Sequence, residues 1–435
     1  MILRRLVGNA GMLLGGRLGN AVLGLGYMAL AGRGLGAAVM GVLVLIHAYS
    51  QLIGDVVKFQ SWQAVLQYGA KPLAEESRTG FQRMLRFTLA LDAISAVAGL
   101  GVGVGGAVLF AGKLGWGHSH VPAAALYMIC ILAIVASTPV GLMRLFNRFD
   151  ILARQTVMVS FFRLVGSGVA FLLHAPLEAY LLAWAFGQFA GFTYLCAETL
   201  RELRKRDLLT GFDWSGPLTD GLPGAWRFAW NTNVSSTLDA GLTHAATLTV
   251  GALLGPSQAA FWKVGRQVAD AIAKPARLLA PALYPELAHL RARESEDMML
   301  RLAARVAMIA GGASFVLLAL SSVAGPWLLT TVMGKEFAPA AAVMTWQVAA
   351  ATIAVFALPL EPMLISLGRA GAVVLVQLTV CLAYLGALQL LVPAFGLTGA
   401  GAGLVVAEIA LGAGFLTFLL RRRPWPPVAV EPTPV

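Results

Sequence analysis

Apolar runs of eighteen or more residues recur along almost the whole of this chain. A helix needs about that length to cross roughly 30 Å of hydrocarbon, whereas the core helix of a soluble domain needs less. Composition points the same way. Of the 435 residues, 58% are hydrophobic and 12% charged, where a soluble domain carries about 25% charged residues to keep its surface wet. A soluble fold built from this sequence would expose far too much apolar surface. The chain reads as an all-α, polytopic membrane protein.

Gly and Pro punctuate the apolar runs at Gly34–Gly36, Lys71–Pro72, Gly115–His120, Gly255–Pro256, Gly325–Pro326 and Pro393–Gly396, and such breaks mark loops. They divide the chain into about twelve transmembrane helices, at roughly 6–31, 36–57, 82–111, 121–145, 152–173, 175–199, 226–253, 257–280, 302–324, 338–362, 370–392 and 397–420. Glycines inside span 1, such as Gly11, Gly15 and Gly19, let helices approach closely where lipid offers no hydrophobic drive for association. Gly99–Gly106 resembles a nucleotide loop only superficially, because it lies mid-membrane with no strand before it. Cys130, Cys196 and Cys381 sit in apolar runs without metal or redox spacing and read as packing residues. The first apolar stretch runs past Tyr27 without a cleavage site, so a span is expected there and not a signal peptide.

The chain has 32 Lys and Arg against 21 Asp and Glu, a formal charge of +11. In a soluble domain that excess would suggest nucleic acid, but here its distribution follows the membrane. Loops on one side hold 21 of the basic residues, including Arg4, Arg5, Arg204, Lys205 and Arg421 to Arg423. Loops on the other side hold three, Arg33, Lys113 and Lys335. The positive-inside rule makes the first side cytoplasmic, with both termini on it, and no nucleic-acid partner is expected. Trp62, Trp116, Trp214, Trp230, Trp327 and Trp425 fall near span ends, as an interfacial belt would.

Two short matches recur at nearly one offset. Gly32-Arg-Gly-Leu-Gly36 pairs with Gly251-Ala-Leu-Leu-Gly255, and Leu142-Met-Arg-Leu-Phe-Asn-Arg148 pairs with Met363-Leu-Ile-Ser-Leu-Gly-Arg369. They suggest two six-helix lobes of the same orientation, a parallel repeat. The expected organisation is a lobe over 1–207, a solvated cytoplasmic linker over 208–221, a lobe over 222–420 and a cytoplasmic tail over 421–435.

An ionised side chain at the bilayer centre costs about 2.5–3.5 kcal/mol on insertion scales, so each one needs a reason. Span 8 carries Lys263, Arg266, Asp270, Lys274 and Arg277 on one helical face. Such a stripe either lines a water-filled cavity or neutralises itself, Asp270 pairing with Arg266 or Lys274. Span 1 places Arg17 and Asn20 on one face, and span 2 places His47, Gln51, Asp55 and Lys58 on one face. Asp55 and Lys58 read equally as a local ion pair or a gate at the cytoplasmic mouth. Span 7 carries Asp239 and His244; a lone buried histidine is more often hydrogen-bonded structure than a site. Arg163, Asp92 and Glu408 are isolated near mid-span, where a structural pairing is the plainer reading for one of them. Acidic and basic residues near the membrane centre balance, so the residues alone do not declare a cationic cavity.

Further stretches carry a family resemblance: Ala29-Leu-Ala-Gly-Arg-Gly-Leu-Gly36, Trp230-Asn-Thr-Asn-Val-Ser-Ser236, Val250-Gly-Ala-Leu-Leu-Gly-Pro256, Lys274-Pro275 and Leu283-Tyr-Pro-Glu286. As an ordered set over nearly the whole chain, they resemble the oligosaccharidyl-lipid/polysaccharide exporters. These flippases belong to a superfamily that also holds the multidrug and toxic-compound extrusion transporters. The resemblance implies a V-shaped, two-lobed transporter with spans 1, 2, 7 and 8 around a central cavity. It implies movement of undecaprenyl-diphosphate-linked glycan across the bacterial inner membrane. The lipid II flippases are similar but usually have two further helices, which this chain lacks.

On this resemblance, Arg17, Lys263 and Arg266, with Arg163, would hold the diphosphate, since a guanidinium fork suits paired phosphate oxygens. Asp239 or Asp270 would couple transport to a proton or sodium ion. Asp55, Lys58, Lys274 and Arg277 would form the cytoplasmic gate. No cofactor, metal or catalytic residue is expected; the partners would be the lipid-linked glycan, membrane lipids and polysaccharide-assembly proteins. The alternatives are a cation-coupled multidrug exporter of the same superfamily and a membrane polysaccharide polymerase or ligase. The enzyme reading lacks a sizeable periplasmic loop with a nucleophile–base set.

Overall fold

A computed structural model describes the backbone of residues 2–277, 283 and 296–421, and the side chains of 19–233, 244–273, 283, 297–369 and 371–421. Among the described residues every regular element is helical. Helix α1 spans Ile2–Val57, 56 residues, or about 84 Å at 1.5 Å per residue, more than twice the hydrocarbon thickness. It is interrupted at Gly36, whose φ of 70° and ψ of 172° break the helix in a region that is essentially glycine-only. There follow α2 (Ser61–Ala74), α3 (Arg78–Leu109), the short α4 (Val121–Tyr127), α5 (Cys130–Val135) and α6 (Thr138–Leu145), then α7 (Phe149–Leu172) and α8 (Leu177–Lys205). The remainder is α9 (Ala225–Leu254), α10 (Pro256–Arg277), α11 (Glu296–Met333), α12 (Ala340–Ala357), α13 (Leu360–Ser366) and α14 (Ala370–Leu420). α14 has 51 residues and is interrupted at Gly396, φ 61° and ψ −144°.

Seven described stretches are long and apolar enough to cross a membrane, among them the double-length Gly19–Ala74 and Gly371–Leu420. Counting each double-length stretch as two crossings and adding α8, α9 and α10 accounts for twelve among the described residues. The protein is an all-α, multi-pass membrane protein. Both sequence matches also share backbone geometry. Gly255 closes α9 at φ 91° and ψ 173°, matching Gly36, and Asn147 (φ 57°) matches Gly368 (φ 75°).

The chain divides into two compact units, Met1–Lys263 with Val332–Glu336, and Val264–Thr331 with Phe337–Val435. The segment 208–221 lies in the first unit, mostly exposed but tied to α3. Arg86, buried on α3, donates from Nη1 to Ser215 O (2.9 Å) and from Nη2 to Pro217 O (2.7 Å). Gln82 donates to the carbonyls of Leu208 and Thr210, both at 3.0 Å. Arg83 pairs with Asp220 at 3.2 Å, and Arg78 pairs with Asp207.

Two further features of the first unit differ from the sequence reading. The loop expected between spans 2 and 3 contains α2, whose Ser61, Ala64, Val65 and Gly69 are buried in a core shared with Phe81, Phe87 and Leu142. Span 4 is not one continuous helix but α4, α5 and α6. Asp92 of α3 supports the break, accepting from Ser61 Oγ (2.5 Å), Ser137 N (3.0 Å) and Thr138 N (2.8 Å). A carboxylate at the start of a helix satisfies N–H groups that lack helical partners. The segment Val332–Glu336 joins this unit through the same chemistry: Glu336 Oε2 accepts from Ala37 N at 2.9 Å, just past the Gly36 interruption, and Arg33 Nε donates to Val332 O at 2.9 Å.

In the second unit, Leu364, Val373, Val376 and Phe415 form one core and Met299, Ala303, Met363 and Leu367 another. α11 exposes Ile309, Phe315, Leu320, Val323 and Trp327, an apolar face suited to lipid.

Candidate functional site

Three polar settings lie among the spans, two in the first unit and one in the second. The first is built on α7, where Ser160, Arg163 and Ser167 fall on one face at i, i+3 and i+7 and are all buried. α8 answers with Tyr180, Trp184 and Gln188, at i, i+4 and i+8. The two helices approach closely at Gly187, where a Cβ would meet Arg163 Cγ and Val159 O at 2.7 Å each. Arg163 is 7% exposed. Its Nη2 donates to Gln188 Oε1 at 3.0 Å, and its guanidinium carbon lies 5.6 Å from the Trp184 ring centre and 5.9 Å from that of Tyr27 on α1. Those distances are within reach of a cation–π attraction. No carboxylate among the described residues pairs with it. Beside it, Ser160 donates to Asn20 of α1. His47 Nδ1 lies 2.9 Å from Tyr127 Oη, and its ring meets Trp184 edge-on with centroids 5.1 Å apart.

The second setting joins the end of α1 to α9. His244 Nε2 lies 3.6 Å from Asp55 Oδ2, both half-buried. Asp55 thus has a close polar neighbour on another helix. The Lys58 carbonyl, freed where α1 ends, accepts from Asn233 Nδ2 at 2.8 Å.

In the second unit, Arg266 Nε and Asp270 Oδ1 are 3.3 Å apart across one turn of α10, the internal pairing that the span 8 spacing allows. α10 packs tightly on α12, since a Cβ at Gly265 would collide with Gln347 Oε1 and lie 3.0 Å from Met344 Cα. Tyr384 donates to Ala400 O at 3.3 Å, tying the two limbs of α14 together.

Of the residues expected from sequence to hold substrate, Arg163 lies in the α7–α8 setting and Arg266 is paired with Asp270. Lys263 is half-buried on α10. The side chains of Arg17, Asp239, Lys274 and Arg277 lie outside the described residues. Sequence reasoning did not name Tyr27, Trp184, Gln188 or Ser167 beside Arg163. Their signal was available as polar and aromatic residues at helical spacing in apolar runs. Among the described residues no group of three or more His, Cys, Asp or Glu side chains is placed to hold a metal ion.

No family model matches the sequence. Solved structures share its fold over nearly its whole length. An inward-facing multidrug resistance MATE family transporter of the MOP superfamily superposes with a TM-score of 0.71 at 14% identity, covering 94% of each chain. The lipid II flippase MurJ in an inward closed conformation gives 0.73 at 10% identity, covering 92% of this chain and 85% of that one. A MOP superfamily transporter from Pyrococcus furiosus, described by the reverse polarity of its binding pocket, gives 0.64 at 14% identity, covering 96% and 95%. The chain shares the fold of these MOP superfamily transporters and of the flippase MurJ. In sequence, the inner membrane protein YghQ of Escherichia coli strain K12 is 30% identical over 337 residues, 77% of this chain and 94% of that protein. The chain belongs to the family of the inner membrane protein YghQ.

Proposed function

We propose that this protein is an alternating-access flippase that moves polyprenyl-diphosphate-linked oligosaccharide across the bacterial inner membrane for polysaccharide export. One observation carries the reading. Deep in the first unit the described carboxylates are already engaged, Asp92 by Ser61, Ser137 and Thr138 and Asp55 by His244, while the Arg163 guanidinium bonds to Gln188 and to no carboxylate among the described residues. A pocket for an organic cation needs an available carboxylate, and an interior left positive favours an anionic diphosphate.

Arg17, Lys263 and Arg266 are proposed to grip the diphosphate, Arg266 releasing Asp270 as it does so. Arg163, 7% exposed, is proposed to act with them from the α7–α8 setting. Asp239 or Asp270 is proposed to take up the coupling proton or sodium ion. Asp55, Lys58, Lys274 and Arg277 are proposed to close the cytoplasmic mouth, with both termini cytoplasmic. The lobes 1–207 and 222–420 would rock against each other while the prenyl tail stays in lipid. Polysaccharide-assembly proteins would be the partners.

The test uses purified protein in liposomes loaded with polyprenyl-diphosphate-linked glycan on one leaflet. The glycan is expected to become accessible to a lectin on the other leaflet, and Arg17→Ala or Arg266→Ala is expected to stop this while each variant still inserts. Transport of a dye cation without glycan movement would assign the protein to the multidrug exporters instead.

A further inference from the structure

α7 and α8 are antiparallel neighbours, and close contacts fix their register. A Cβ at Gly187 would meet Arg163 and Val159, and one at Gly191 would meet Val159 and Gln155. Toward the ends, Arg148 pairs with Glu202. Arg154 is thereby level with Leu195, and Arg201 and Arg204 lie about 9 Å and 14 Å further along.

One side of the pair is exposed and apolar. Phe161, Val165 and Val169 form the exposed ridge of α7, and Leu182, Phe186 and Leu200 that of α8. The ridges adjoin, because Phe162, in ring contact with Phe161, also meets Phe186 with centroids 5.4 Å apart. Such a face suits acyl chains. At the end that the positive-inside rule makes cytoplasmic, both ridges finish in arginine. Arg154 precedes Phe161 by seven residues and Arg204 follows Leu200 by four, with Arg201 beside it, and all three are exposed. Helical side chains lean toward the helix N-terminus. α7 begins at this end and α8 finishes here, so Arg154 leans toward the headgroups while Arg201 and Arg204 lean back toward the hydrocarbon. The difference in level is thereby narrowed.

Local acids leave this end positive. It holds six basic residues, Arg148, Arg154, Arg201, Arg204, Lys205 and Arg206, against Asp150, Glu198 and Glu202. Glu202 is shared among Arg148, Lys205 and Arg206. Asp150 bonds to Arg148 and stands 3.9 Å from Arg154. Arg201 pairs with Glu198, and Arg204 has no partner among the described residues. Asp207, just beyond α8, is taken by Arg78.

We infer that this face binds one anionic glycerophospholipid of the cytoplasmic leaflet, its phosphate held by Arg154, Arg201 and Arg204 and its chains lying along Phe161, Phe162 and Phe186. A guanidinium fork suits phosphate oxygens. A zwitterionic lipid would bring its own ammonium into the excess of positive charge, so a net negative headgroup is favoured. The site goes beyond the flippase reading and does not depend on it, because it lies on the exposed side of one helical unit whatever is transported.

The experiment reads lipid retention and not transport. The purified full chain in detergent is titrated with phosphatidylglycerol or phosphatidylcholine of matched chains, and bound lipid is counted by native mass spectrometry. Wild type is expected to retain one phosphatidylglycerol in preference to phosphatidylcholine. Arg204→Gln is expected to weaken that retention about fivefold, and the triple variant Arg154→Gln/Arg201→Gln/Arg204→Gln to reduce it to the phosphatidylcholine level. Lys71→Gln removes an equal charge from an exposed position on α2 and is expected to leave retention unchanged. Should the triple variant fail to fold, Arg204→Gln against Lys71→Gln decides. Two competition arms add inorganic phosphate or a polyprenyl diphosphate. Wild type without preference, an Arg204→Gln or triple variant that keeps it, or equal losses in Arg204→Gln and Lys71→Gln would each overturn the inference. So would displacement of the phospholipid by equimolar phosphate or polyprenyl diphosphate, which would assign the arginines to a free anion or to the transported lipid.

Discussion

Gly187 makes the space that Arg163 occupies: a Cβ built on it would lie 2.7 Å from Arg163 Cγ and 3.1 Å from Arg163 N, with Val159 O at 2.7 Å. Two of these three neighbours are backbone atoms and cannot rotate away. Gly187→Ala must therefore push α7 and α8 apart, at a cost of about 1–3 kcal/mol. Its melting midpoint is expected to fall clearly below wild type. Gly101→Ala is the control, since nothing lies within 4 Å of a Cβ there; in mid-helix it is expected to be neutral or slightly stabilising. Equal melting of the two variants would contradict the packing described.

Asp92 is a structural acceptor. It takes one hydroxyl and two backbone donors at the break between α5 and α6. Asp92→Asn keeps the shape but turns an N–H₂ group toward a site that offers only donors. That leaves buried groups unpaired, which costs about 1–3 kcal/mol each. The variant is expected to melt earlier than wild type yet keep its transport rate per folded molecule. A selective loss of transport at unchanged stability would instead make Asp92 part of the transport machinery.

Individual residues mark how far the sequence could be read. The twelve crossings, the Arg266–Asp270 pair and the Gly36 break are local: each follows from run length, from a spacing of four on a helix, or from a glycine at a corner. Arg163 stood out as a charge in an apolar run, but its neighbours did not, because Tyr27 and Trp184 reach it from other helices and no periodicity encodes which helices meet. Lys71–Pro72 looked like a loop, and it lies in the last turn of α2, where the proline forfeits its own bond to the Tyr68 carbonyl and the helix ends two residues later. Asp55 and Lys58 matched a local pair, yet His244 on α9 approaches Asp55, a tertiary choice that the spacing of three could not reveal.

The linker strap predicts a protease pattern. Arg86 holds the carbonyls of Ser215 and Pro217, and Phe212 and Trp214 lie beside them with ring centroids 5.3 Å apart. With Arg86→Ala those carbonyls lose their donor and the segment loosens. Chymotrypsin, which cuts after aromatic residues, is expected to leave the wild-type linker largely intact and to cut the variant at Phe212 or Trp214. Arg86→Lys, with one ammonium in place of a fork, should fall between them. Identical digestion of all three proteins would show that the strap does not restrain the linker.

The same linker contains a pH-sensitive turn. Asp213 accepts from Ser215 N at 2.8 Å and from the Ser215 hydroxyl, and these bonds hold its carboxyl below the usual carboxylate value. With the folded value depressed, the turn is stabilised at pH above the unfolded value of about 3.9. That stabilisation is lost as pH falls through the folded value. Carbon NMR of aspartate-labelled protein is expected to show Asp213 titrating below an ordinary aspartate, and Ser215→Ala is expected to move it upward. An unchanged titration in Ser215→Ala would remove the hydrogen bonds as the cause.

Gly36 and Gly255 share one backbone conformation, with ψ of 172° and 173° at positive φ, but their surroundings differ. At Gly36 a Cβ would lie 3.1 Å from Glu336 Oε2, the atom that accepts from Ala37 N, whereas at Gly255 nothing lies within 4 Å. Alanine at either position forces a side chain into a region almost reserved for glycine, at about 1–3 kcal/mol. Gly36→Ala adds a steric conflict with the group that caps the second limb of α1, so it is expected to destabilise more than Gly255→Ala. Glu336→Ala separates the two contributions. It removes both the conflict and the acceptor for Ala37 N, so the double variant Gly36→Ala/Glu336→Ala is expected to cost less than the sum of its single changes, as neighbouring sites do when they share one contact. Strict additivity in a thermal-denaturation cycle would show that Glu336 and the Gly36 corner are not coupled.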